Sequence, residues 1–379
     1  MTFNDLSINP CLIEALKKQN ITEPTEIQRK VAKPVFENRD VIACSNTGTG
    51  KTLAYLLPVL SKINSEERNV QAVVLVPTQE LAAQVNTQIS VLFKNGNISA
   101  SSALLIGDAN IARQIEALKA KPVVVVGTPA RIVQLIQMKK LHVHNVKTLI
   151  LDEADKLMEK TYFESVLSIR KSLMKRTQVL LFSASIGKRT IKQSDNLTCN
   201  PVIYQLENDK KELIPKTIKH IYVISDRRER IETLRKLAKS LNDDKTMIFI
   251  NTKYDLEEAL KKLKYHHYNA AALTGSIDKQ SKKKVLEDFR SGRLRYLLAT
   301  DVAARGLQID HVSTIINVNL PEEPTEYLHR AGRCGRNNEP GLCVSIITEN
   351  ELDKIKKYQK LFNINIVQKR LYNGKLVAK

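Results

Sequence analysis

Short apolar runs recur along the chain, each bounded by polar or glycine-bearing turns. In the first half they fall at residues 41–43, 72–76, 123–126, 148–151 and 179–182 and are rich in β-branched side chains. Uninterrupted apolar runs of this length fit strands buried on both faces of a parallel sheet, with crossover helices covering each side. A second series occupies 220–224, 246–250, 269–272, 296–299, 314–317 and 343–347. Between the two series lies a charged stretch closed by Pro215, the composition of a linker. The pattern predicts an α/β protein of two domains, 1–206 and 217–379, joined by a linker at 207–216. The charged helical stretch 228–241 and the lysine-rich stretch 279–284 read as solvated faces.

Composition adds a partner class. The 379 residues are 42% hydrophobic, enough for two cores, but 60 Lys and Arg against 40 Asp and Glu leave a net charge of +20. A surface so basic favours a polyanion, because each phosphate contact releases condensed counterions. No run approaches the ~20 apolar residues that cross a bilayer, and the N-terminus lacks the pattern of a secretion signal. The five cysteines are scattered without metal-ligand spacing, which reads as reduced thiols in a cytoplasmic protein with no zinc site.

Two motifs carry chemistry. Ser45, Asn46, Thr47, Gly48, Thr49, Gly50, Lys51 and Thr52 follow the first apolar run and precede a helical pattern. Strand, glycine-bearing loop and helix together are the setting of a phosphate-binding loop. Gly48 and Gly50 free backbone amides to curl around phosphates, Lys51 pairs with the outer phosphates, and the Thr52 hydroxyl suits Mg²⁺. The run 148–151 then ends directly in Asp152, Glu153, Ala154 and Asp155. Clustered carboxylates at a strand end repel one another unless a cation compensates. Asp152 suits the Mg²⁺ shell and Glu153 an attacking water.

Taken with their company, these residues resemble the DEAD-box RNA helicase family along nearly the whole chain. The resemblance implies two tandem RecA-like domains, ATP and Mg²⁺ as cofactors, and RNA-stimulated hydrolysis coupled to closure of the domains on RNA. Pro24, Thr25, Glu26, Ile27 and Gln28 resemble the adenine-reading Q motif, with Phe3 upstream. His329, Arg330, Ala331, Gly332, Arg333, Cys334, Gly335 and Arg336 resemble the closing motif of the second domain, in which Arg333 and Arg336 complete the ATP site. Arginine suits that task because its planar fork spreads over a γ-phosphoryl group. The resemblance further assigns Gly306 to ATP, and Ser183, Ala184, Ser185, Asp155 and His329 to coupling. Pro77, Thr78, Glu80, Gly107, Thr128, Pro129, Arg131, Thr300 and Arg330 are assigned to RNA.

Several positions depart from the family pattern. Gln79 replaces an arginine, Asp108 and Ala130 replace glycines, Ser185 replaces a threonine and Lys283 an arginine. Gln308 stands for an aspartate near the ribose and Ile21 for an aromatic on adenine. The expectation is intact ATP chemistry with a lowered affinity for ATP and a weakened, sequence-independent grip on RNA. A monomer targeted by a protein or ribonucleoprotein partner follows from that, with an ATP-dependent RNA clamp as the alternative to a helicase.

Overall fold

A computed structural model describes residues 2–45, 50–183, 188–205, 217–241, 245–274, 277–304, 312–335 and 339–378, apart from the side chains of 188, 189, 205, 279 and 302. The chain divides into two compact units, Met1–Leu206 and Glu207–Lys379. The expected linker, 207–216, lies wholly outside the described residues.

In the first unit the strands are β1 (Val41–Cys44), β2 (Ala72–Leu75), β3 (Ser102–Leu105), β4 (Val124–Gly127), β5 (Thr148–Asp152), β6 (Gln178–Ser183) and β7 (Val202–Gln205). They lie in the order β3-β4-β2-β5-β6-β1-β7, and every pairing is parallel. Alternate residues enter opposite cores. Ala72 and Val74 join one apolar cluster, while Val73 and Leu75 join the other. This is why the runs read as continuously apolar. Gly127 is required where β4 passes β3, since a Cβ there would sit 2.1 Å from the Leu105 carbonyl oxygen.

The second unit holds β8 (Ile218–Ile224), β9 (Thr246–Phe249), β10 (Ala270–Leu273), β11 (Tyr296–Ala299), β12 (Thr314–Asn317), β13 (Gly341–Ile347), β14 (Ile366–Tyr372) and β15 (Lys375–Ala378). Their order is β10-β11-β9-β12-β13-β8-β14-β15, parallel except for the final β14–β15 hairpin. The expected fold class, mostly parallel sheets flanked by helices, is borne out. Strands β3, β7, β14 and β15 were not anticipated from the pattern. Each lies at or beside a sheet edge, where one side meets solvent and the apolar run is broken. The helix Arg230–Leu241 is less solvated than its charge suggests, because Leu234, Leu237 and Ala238 are buried along one face.

Candidate active site and nucleic-acid interface

Because the first sheet is parallel, its strands deliver their C-terminal ends to one edge, where ligands of such sheets bind. That edge divides by chemistry. The neighbouring strands β5 and β6 end in Asp152 and Ser183, and β1 leads into Ser45; Asp152 and Ser45 are expected around ATP and Ser183 in coupling. The neighbouring strands β3, β4 and β2 lead into Gly107, Thr128 with Pro129, and Pro77 with Thr78, residues expected on RNA.

On the ATP half, Ser45 closes β1 by donating its N–H to the Ser183 carbonyl at 3.0 Å. Asn46, Thr47, Gly48 and Thr49 lie outside the described residues. The loop re-emerges at Gly50, whose φ of +85° is a left-handed conformation that glycine adopts freely. The helix Lys51–Lys62 begins there, and the Lys51 ammonium donates to the Ser45 carbonyl at 2.5 Å. Burial holds the Lys51 amine below its ordinary pKa, opposed by the charge of Asp152. Burial likewise raises the Asp152 carboxyl, opposed chiefly by Lys51.

The sequence reading missed Tyr55, which fixes that carboxylate. Its hydroxyl donates to Asp152 Oδ2 at 2.9 Å, while the Glu153 N–H donates to Oδ1 at 2.9 Å. Tyr55 stands four residues after Lys51 and so shares its helix face. That spacing was the available signal. Glu153 itself is left-handed, at φ 52° and ψ 49°, a strained backbone of the kind found at functional sites. Asp155 lies on the one-turn helix that follows, Ala154–Leu157.

Gln28 is 4% exposed and sits at the third position of a capping box begun by Thr25. Its Oε1 accepts from the Thr25 N–H at 2.9 Å, and its Nε2 donates to the Gly50 carbonyl at 3.2 Å. The expected base reader thus touches the phosphate loop directly, and each end of its amide retains one further bonding position. Phe3 is buried in the adjoining core, with Ile21 packed against the same cluster.

On the RNA half, Thr78 caps the helix Gln79–Asn95 by accepting from the Leu81 N–H at 3.2 Å. Glu80 lies in that helix's first turn. Thr128 precedes the helix Pro129–Gln137, whose proline is well placed in the first turn. Arg131 is 9% exposed and turns inward, donating to the Gly107 and Ala109 carbonyls. It therefore shapes the loop after β3, with the substituted Asp108 exposed between those two carbonyls.

In the second unit, Thr300 follows β11 and accepts from the Ala303 N–H at 3.3 Å. His329 and Arg330 end the helix Pro324–Ala331, and Arg333 follows in the next turn. Arg336, Gly306, Gln308, Ala184 and Ser185 lie outside the described residues. One expectation is corrected here. Arg330, assigned to RNA, is 1% exposed and has no donor left for a phosphate. Its Nε and Nη2 grip Asp301 at 2.7 and 2.5 Å, and Nη1 donates to Asn317 Oδ1 at 3.1 Å and the Asn319 carbonyl at 2.8 Å. Nη2 also donates to Asn251 Oδ1 at 2.9 Å. These bonds use all five guanidinium N–H groups. Asn251 and Asn319 follow buried strands and Asn317 ends one, while Asp301 follows β11 as Asp152 ends β5, a parallel the sequence offered.

The chain matches the DEAD/DEAH box helicase family model over residues 25–194 and the helicase conserved C-terminal domain over 229–338. It is 38% identical to the DEAD-box ATP-dependent RNA helicase CshC of Bacillus cereus, covering 98% of this chain and 94% of that protein. It is 37% identical to the probable ATP-dependent RNA helicase YfmL of Bacillus subtilis, covering 94% and 93%. Among solved structures, Saccharomyces cerevisiae Dbp5 bound to RNA and ADP BeF3 superposes with a TM-score of 0.87 at 28% identity, covering 97% of this chain and 95% of that one. With the Lys51–Asp152–Tyr55 cluster at one strand edge and identity running through both units, the chain belongs to the DEAD-box ATP-dependent RNA helicases.

Proposed function

We propose that residues 1–206 bind Mg²⁺-ATP, that 217–379 supply the arginines completing the site, and that the 207–216 linker lets the two close together on RNA. Closure strained against a short duplex would separate it locally, and hydrolysis would release the strands. The observation that carries this reading is the division of one strand edge into an ATP half and an RNA half, since a nucleotide-dependent shift at β5 is felt directly at β2.

Lys51 would neutralise the outer phosphates, Glu153 would orient and deprotonate the attacking water, and Arg333 with Arg336 would meet the charge of the transferring group. Gln28, with Phe3 and Gly306 nearby in role, would favour adenine. Ser183, Ala184, Ser185, Asp155 and His329 would couple the two sites. The donor set fits Mg²⁺. Asp152 offers a carboxylate fixed by Tyr55 and the Glu153 N–H, and Thr52 would offer a hydroxyl. Such an ion keeps most of its shell as water and phosphate oxygens. When bound, it would draw charge from the β- and γ-phosphates.

RNA would be held by its backbone at Pro77, Thr78, Glu80, Gly107, Thr128, Pro129 and Thr300, largely through small side chains and helix N-termini, hence without sequence preference. No helix among the described residues is long and apolar enough to cross a membrane. We place the chain in the cytoplasm as a monomer that a protein or ribonucleoprotein partner targets. ATPase measurement with RNA or DNA, on the wild type and Glu153→Gln, tests the reading. RNA alone should stimulate turnover, and the variant should bind ATP while losing most hydrolysis. Equal stimulation by DNA, or normal turnover in the variant, would refute it.

A further inference from the structure

Arg330 commits every guanidinium N–H to a partner within the second unit. Its guanidinium lies across the ends of three neighbouring strands, reaching Asn251 after β9, Asp301 after β11, and Asn317 and Asn319 at β12. It also stacks on the Phe249 ring, with Cζ 5.0 Å from the centroid. Asn251 and Asn319 are themselves tied, the Asn251 N–H donating to Asn319 Oδ1 at 3.1 Å.

Such a network is a poor device for stability alone. Two charges lose their hydration, and apolar replacements of similar volume often serve as well or better. What it supplies is a fixed geometry between elements that are distant in sequence. Asp301 is the residue after Thr300, the expected RNA contact, and opens the short helix Asp301–Ala304. Arg330 lies three residues before Arg333, whose N–H donates to the Arg330 carbonyl at 3.1 Å.

We propose that Asp301 and Arg330 are a positioning pair, which fixes Arg333 relative to RNA held at Thr300 and so makes the arginine's service to ATP depend on RNA. The pair touches neither ligand. A shift of Thr300 on binding RNA moves the carboxylate that holds Arg330, and the helix end carrying Arg333 follows. This rests on the reading of Arg333 given above.

The test uses the full chain with Asp301→Asn and Arg330→Lys, each checked for folding by thermal unfolding. Two quantities are read: RNA-saturated kcat for ATP, and affinity for a single-stranded RNA without nucleotide across a salt series. In both variants kcat should fall roughly tenfold to a hundredfold, the loss expected of a misplaced catalytic group. RNA affinity should stay within about twofold, and the slope of log affinity against log salt should not change. A merely structural role would lower the melting temperature without this split.

If Arg330 instead contacts RNA, Asp301→Asn frees it and removes a nearby anion. RNA would then bind more tightly with a steeper salt slope, overturning the proposal. Normal kcat in the folded variants overturns it too. Should neither fold, Asn251→Ala removes one acceptor at an exposed residue and should lower kcat several-fold, with normal kcat again decisive against the pair. Arg333→Ala runs alongside. Normal turnover there removes the arginine's role and overturns both readings, whereas a slow Arg333→Ala beside normal pair variants overturns the pair alone.

Discussion

Replacing Tyr55 with Phe removes one oxygen from the centre of the ATP half and leaves the packing in place. The ring is fully buried against Phe182, 5.1 Å between centroids, and Phe fills the same space. What is lost is the 2.9 Å bond to Asp152 Oδ2. A hydrogen bond to a charged group contributes about 1.5–3 kcal/mol, so Tyr55→Phe should destabilise the chain by that amount at neutral pH. For a unit of this size the melting temperature should drop by roughly 3–12 °C.

The pH dependence follows from the same bond. Burial holds the Asp152 pKa above its ordinary value, and the Tyr55 hydroxyl opposes that rise. Without the hydroxyl the pKa climbs further, so ionising Asp152 costs more stability. The added cost is fully present at neutral pH and shrinks on acidification, as Asp152 takes up its proton, towards the 0.5–1.5 kcal/mol of a neutral bond at about the low end of the range. If the ionised carboxylate is the form that serves Mg²⁺-ATP, as proposed, the acid limb of kcat/KM should move to higher pH. Urea unfolding of the full chain, followed through the transition that added ATP shifts, measures the first effect, and a pH–rate profile the second. A penalty below about 0.5 kcal/mol at neutral pH, or one that grows on acidification, would refute the reasoning.

Two further substitutions probe coupling and titration. Gly50→Ala forces a left-handed alanine, costing about 1–2 kcal/mol, and its Cβ would lie 2.5 Å from Gln28 Nε2, breaking a bond worth about 0.5–1.5 kcal/mol. In a Gln28→Ala background only the backbone strain should remain, so strict additivity in urea unfolding would disprove the contact. His220 is 5% exposed with Nδ1 2.9 Å from the Tyr327 hydroxyl, and burial lowers its pKa from 6.5 to about 4. The unfolded chain therefore takes up this proton first, and stability is lost as pH falls from 6.5 through the folded value, by roughly 3 kcal/mol in full. His220→Phe should flatten that stretch of the unfolding profile, and an unchanged slope between pH 6.5 and 4 would exonerate the residue.

What the sequence disclosed depended on how local the physics was. The phosphate loop and the carboxylates after β5 are contiguous, and the context of strand, loop and helix is enough to place them. The central strands are buried on both faces, so their apolar runs are unbroken. Strands β3, β7, β14 and β15 escaped because burial at or beside a sheet edge is only partial, as in Ser102–Leu105, where alternate positions are half-buried. Tyr55 escaped because its partner lies ninety-seven residues away. Arg330 was misassigned for a related reason. A basic residue in a basic motif reads as a phosphate contact until its acceptors, drawn from separate strands, are seen around it.

The same distinction bears on the departures from the family pattern. In the first unit, Gln79, Asp108 and Ala130 all fall on the RNA half of the strand edge, beside the loop that Arg131 shapes, while Lys51, Asp152 and Glu153 on the other half are retained. Arg131 bonds backbone carbonyls at 107 and 109, and these are present whatever side chain occupies 108. The loop can therefore keep its form while Asp108 presents a negative charge beside the RNA half. On the proposed RNA assignment, a change there should alter how RNA is held without disturbing the Lys51–Asp152–Tyr55 cluster, because the nearest strand it meets is β4 and not β5. The two halves lie at different strands of one edge, so a substitution in the loop after β3 leaves the Lys51–Asp152–Tyr55 geometry in place.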